Sequence, residues 1–61
     1  MTMTKTEANE TLHRRGLTWR SDHWEIVDAL AGYMFARSDR TPEAWDLCWE
    51  AAEGLLERWG Q

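Results

Sequence analysis

Cysteine, proline and lysine each occur once in this 61-residue chain, as Cys48, Pro42 and Lys5. A lone cysteine excludes an intrachain disulfide. The histidine and cysteine side chains are His13, His23 and Cys48, whereas a tetrahedral structural zinc site takes four such ligands in closely spaced pairs. No metal and no cofactor is therefore expected, and neither a phosphate loop nor a dinucleotide fingerprint is present. No apolar run approaches the roughly 18 residues of a membrane span. Residues 1–10 are polar and lack the apolar core of a signal peptide. These absences predict a cytoplasmic protein, not a membrane protein, with Cys48 as a reduced thiol.

What is abundant is tryptophan and negative charge. Five tryptophans and a hydrophobic fraction of 43% are too much apolar content for a disordered chain. A chain this short buries only about 60% of its unfolded surface, so helix packing or self-association is expected to supply the remaining stability.

Residues 1 to about 11 intersperse threonines with single charges and show no apolar period, which reads as a tail. A short helical turn around Ala8 and Leu12, stopped by Gly16, is the alternative. Ser21 is the expected N-cap of the next segment, with Asp22 at its first position. Trp24, Val27, Leu30, Ala31, Met34 and Phe35 then recur at spacings of three and four, with Ile26, Ala29 and Tyr33 alongside. The pattern predicts a helix over about 22–37 with a wide apolar arc, and a wide arc needs more than one neighbour. After the polar break Ser38–Arg40, Thr41-Pro42-Glu43 combines a hydroxyl cap, a proline at the first helical position and an early carboxylate. The helix it opens should run over 42–59, end at Gly60, and bury Trp45, Cys48, Trp49, Ala52, Leu55, Leu56 and Trp59. Only Leu17-Thr18-Trp19 could be extended. The fold expected is all-α: a single domain over 1–61, a helical hairpin with a less ordered segment at 1–16. Two helices cover their apolar faces poorly alone, so a homodimer forming four helices is expected.

Charge is segregated along the chain. Residues 1–20 are net +2, residues 21–40 net −2, and residues 41–61 net −4. In the last third Glu43, Asp46, Glu50, Glu53 and Glu57 repeat at three and four residues, which makes one acidic stripe on a helix. Like charges at that spacing cost a few tenths of a kcal/mol per pair. The stripe is either a solvated outer face or a ridge that docks on a basic surface, of a partner protein or of Arg14, Arg15 and Arg20 in a second copy. Five indoles exceed what so small an interior encloses. Trp24, Trp45 and Trp49 are the expected core members, and Trp19 and Trp59 the expected interface.

Signals for chemistry are poor. His23 and Cys48 could pair for nucleophilic catalysis, but they fall on different helices without an oxyanion donor set, and a cysteine in a core stripe usually acts as a small hydrophobe. No catalytic residue is assigned. The helix-turn-helix outline raises DNA binding, in which the second helix enters the major groove. Here that helix carries five carboxylates against Arg58, and the phosphate backbone repels it.

Leu17-Thr18, then Asp22-His23-Trp24-Glu25-Ile26-Val27, then Leu30, Tyr33 and Thr41-Pro42 resemble part of the sulfur-relay (DsrC/TusE) family, which includes the gamma subunit of dissimilatory sulfite reductase. The resemblance covers residues 17–48 and implies a helical scaffold or docking surface. The family's chemistry resides on a cysteine in a C-terminal arm, whereas this chain ends Arg58-Trp59-Gly60-Gln61, so no functional residue carries over. The function expected is a non-enzymatic binding module, an adaptor, regulator or inhibitor, that meets a basic protein partner. A helix-turn-helix DNA-binding regulator and a sulfur-relay relative are the alternatives.

Overall fold

In the computed structural model, which describes residues 3–60, three helices follow one another: α1 over Lys5–Arg14, α2 over His23–Ala36 and α3 over Pro42–Trp59. No strand occurs among the described residues. The two long helices match the expected 22–37 and 42–59 to within one residue at each end. The chain is all-α.

The first correction is to the tail expected at the N-terminus, where the alternative holds: residues 5–14 form a helix through Ala8 and Leu12, closed at Gly16. Thr4 and Glu7 make a reciprocal capping box: the Glu7 N–H donates to Thr4 Oγ1 at 3.1 Å and the Thr4 N–H to Glu7 Oε1 at 2.8 Å. This pattern satisfies two backbone donors that a helix start leaves open. At the other end Gly16 adopts a left-handed backbone at φ 71°. The Gly16 N–H donates to the His13 carbonyl at 3.0 Å and the Leu17 N–H to the Leu12 carbonyl at 2.8 Å, a Schellman closure. Met3, Ala8 and Leu12 are buried, so α1 is a third wall of the core.

The second correction concerns the start of α2. Ser21 is not its cap, because Ser21 Oγ accepts from the Thr18 N–H at 2.9 Å and closes the preceding turn. Asp22 is the N-cap, its carboxylate accepting from the Trp24 N–H. Thr41 caps α3 as expected, accepting from the Ala44 N–H at 3.1 Å, with Pro42 following.

α2 lies at the centre, with Ile26, Val27, Ala29, Leu30, Ala31 and Met34 buried. Both α1 and α3 pack against it, which gives the wide arc its two neighbours. α3 contributes Cys48 and Ala52 as fully buried residues and Trp45, Trp49, Leu55, Leu56 and Trp59 as partly buried ones. With 18 residues at about 1.5 Å each, α3 extends about 27 Å, close to the 29 Å longest dimension of the molecule. Whatever α3 displays on its outer face therefore runs from one end of the protein to the other. No helix among the described residues is long and apolar enough to cross a membrane.

Candidate functional site

The five carboxylates of the α3 stripe face outward. Glu43, Asp46, Glu50 and Glu57 are exposed and Glu53 is half-buried. Among the described residues Glu53 alone of the five meets a potential cation, with Oε2 3.9 Å from Nε2 of the half-exposed His23. The other ion pair among the described residues, Arg15 with Asp28 at 3.6 Å, lies away from the stripe.

The indoles are distributed differently from the sequence expectation. Trp24, expected in the core, is 58% exposed. Its helical position faces α3, but the ring it meets there is Trp49, itself only half-buried, so the two indoles stack at the rim of the seam with centroids 5.9 Å apart and planes 18° apart. Trp49 in turn lies 5.7 Å from Trp45 at a tilt of 47°, and Trp45 receives the edge of Phe35 at 5.3 Å. His23 closes the other end, edge-on to Trp24 at 4.6 Å. The result is an aromatic ribbon along the α2–α3 seam: His23, Trp24, Trp49, Trp45, Phe35. Aromatic contacts at such distances each contribute on the order of 1 kcal/mol beyond their buried area.

Trp19 and Trp59, expected at an interface, meet each other edge-on at 6.4 Å. Both are half-buried and pack against the core. Trp19 Nε1 also donates to Asn9 Oδ1 of α1 at 2.7 Å. The two indoles thus tie the α1–α2 connection to the end of α3, and the more exposed aromatic surface is that of Trp24.

The ribbon and the stripe adjoin. Trp45, Asp46, Trp49 and Glu50 line one shallow concavity, because the pairs Trp45-Asp46 and Trp49-Glu50 are four residues apart and stack one turn above the other. Two indoles form one row and two carboxylates the next. No family model, curated protein or solved structure matches this chain.

The structure does not bring His23 and Cys48 together as a nucleophilic pair. Cys48 is buried and borders Ser38, Asp39 and Ala44 near the α2–α3 turn, whereas His23 faces Glu53. No three His, Cys, Asp or Glu side chains converge as a metal cage among the described residues. What the arrangement offers is surface: indole faces, with solvent-facing carboxylates beside them. The sequence reading missed the exposure of Trp24 and the fact that Trp45 and Trp49, packed against the core, are only half-buried. The signal that could have found them is the repeat of Trp-acid at 45–46 and 49–50, since a carboxylate next to each indole keeps that flank in water.

Proposed function

We propose that this chain is a non-enzymatic, cytoplasmic protein-binding module, an adaptor, regulator or inhibitor, that docks on a basic surface of a partner. The observation that carries this reading is that Trp49, on which the exposed Trp24 stacks, shares one shallow concavity with Asp46 and Glu50. Exposed indoles are the residue type most enriched in binding hot spots. Carboxylates that face solvent beside them choose the sign of the partner and steer its approach.

A titration at low and high salt with a lysine-only peptide, a glutamate-only peptide and duplex DNA tests the reading. Binding of the lysine peptide is expected, weakening with salt, and neither the glutamate peptide nor the DNA should bind. Binding to duplex DNA with a steep salt dependence and none to the basic peptide overturns it in favour of a DNA-binding regulator.

The homodimer anticipated from the sequence has a different surface available. Leu47 is 67% exposed and borders Ala44, Cys48 and Ala51 in a shallow apolar hollow. If two copies of α3 cross antiparallel about Ala51, Leu47 faces the second copy's Leu55, and Arg58 comes next to the second copy's Glu43 at the helix start. Small residues allow the close approach that such packing needs. We assign self-association to this strip, which leaves the aromatic ribbon free for a partner.

A further inference from the structure

The proposal of a basic partner leaves open which cation the partner presents, and the geometry distinguishes arginine from lysine. We infer that the notch formed by Trp45, Asp46, Trp49 and Glu50 is an anchor site for an arginine side chain carried on an extended or helical segment of a partner protein. This inference rests on the reading of the chain as a binding module for a basic partner.

Three observations carry it. First, Trp45 and Trp49, tilted by 47° with centroids 5.7 Å apart, line one shallow concavity, a wedge whose two rings touch, so that a guest lies on the solvent side of an indole and not between the rings. A planar guanidinium can lie flat on such a face and still direct its N–H groups sideways, whereas an ammonium is a compact, strongly hydrated point charge that gains less from stacking. Second, the carboxylates of Asp46 and Glu50 border the same wedge, one helical turn apart, and neither has a cation of this chain within ion-pair distance among the described residues. A guanidinium seated on the indole therefore finds an acceptor at its edge for a two-pronged hydrogen bond. Third, the chain holds a related arrangement within itself. The Arg37 guanidinium carbon stands 5.1 Å from the Tyr33 ring centroid, Arg37 Nη1 donates to the Tyr33 hydroxyl at 2.6 Å, and that hydroxyl donates to the Glu7 carboxylate at 2.9 Å. There arginine and carboxylate are joined through the phenol oxygen and not directly. At the α3 notch the ring and the carboxylate are present and the arginine is not.

Charge decides between a heterologous partner and a second copy. Another copy of this chain brings a net charge of −4 to a face that is itself acidic. A segment of a basic protein brings only attraction.

The test compares an arginine-only and a lysine-only peptide of equal length by calorimetry, with indole N–H resonances followed by NMR. The arginine peptide is expected to bind about tenfold more tightly, a difference of about 1.4 kcal/mol, within reach of a desolvated cation–π contact plus a paired hydrogen bond. It should shift the indole signals of Trp45 and Trp49 and leave that of Trp59 in place. Glu50→Gln should weaken both peptides and remove most of the arginine preference. Trp49→Phe, which keeps an aromatic ring in the seam, should narrow the preference while leaving lysine binding nearly unchanged, and circular dichroism verifies that each variant remains helical. Equal affinity for the two peptides with salt-sensitive binding retained overturns the arginine anchor and leaves the basic-partner reading standing. Absence of binding by either peptide overturns both.

Discussion

Gly16 and Gly54 show how one residue type carries opposite consequences at two positions. Gly16 holds a left-handed backbone at φ 71° with open space around the position of a would-be Cβ, so Gly16→Ala has no clash to relieve and only backbone strain to add. Such strain costs about 1–2 kcal/mol. Gly54 lies inside α3, also with nothing within 4 Å, and there alanine is the better helix former by about 1 kcal/mol. In urea unfolding we expect Gly16→Ala to lower the midpoint and Gly54→Ala to raise it. Equal signs for the two would contradict the Schellman closure of α1. The sequence already pointed to Gly16 as a helix stop, since it follows Arg14-Arg15 and an apolar residue one turn earlier. It did not point to Trp24, because a three-and-four spacing gives direction around a helix and not the depth at which the neighbouring helix passes.

At the scale of the element, α1 depends on Glu7. Its carboxylate accepts from the Thr4 backbone N–H at 2.8 Å through one oxygen and from the Tyr33 hydroxyl at 2.9 Å through the other. The Thr4 backbone hydrogen bond first, and then the Tyr33 hydroxyl, hold the Glu7 carboxyl below its ordinary 4.5, with a smaller contribution from Arg37. A carboxylate depressed in the folded state stabilises the fold above its unfolded pKa, and that contribution is lost as pH falls through the folded value. The Glu7→Gln variant should therefore be less stable than the parent at neutral pH, and the gap in urea midpoint should close on acidification below the ordinary carboxylate range. A gap that stays constant from neutral to acidic pH would show that the Glu7 charge does not hold α1 in place. The capping box was written in the sequence as Thr4-Lys5-Thr6-Glu7, a short pattern overlooked because no amphipathic period follows it. What the sequence could not disclose is the Tyr33 contact across 26 positions, which exists only once α1 lies on α2.

Among the described residues two large hydrophobic side chains are exposed, Trp24 of α2, which stacks on Trp49, and Leu47 of α3. In the function proposed above, this arrangement separates partner docking from self-association. Leu47→Glu adds charge to the proposed dimer strip without touching the aromatic ribbon. In sedimentation equilibrium the parent is expected to associate with rising concentration and the variant to remain a monomer, while peptide binding at the ribbon is retained. A parent that stays monomeric, or a variant that still associates, removes the dimer strip. The sequence argument for a dimer was that two helices leave their faces uncovered. α1 changes that argument, because it supplies within the chain much of the cover for α2 that a second copy was expected to give.

The all-α class, the ends of α2 and α3 and the continuity of the acidic stripe follow from the sequence, because caps, apolar period and charge period are local properties of a helix and act over four residues or fewer. The docking of α1, the exposure of Trp24 with Trp19 and Trp59 half-buried, and the assembly of the aromatic ribbon across the α2–α3 seam were decided by the tertiary structure. Those features depend on how closely and at what height one helix passes another, a quantity set by the summed packing of Leu12, Leu30, Met34 and Ala52 and carried by no single stretch of chain.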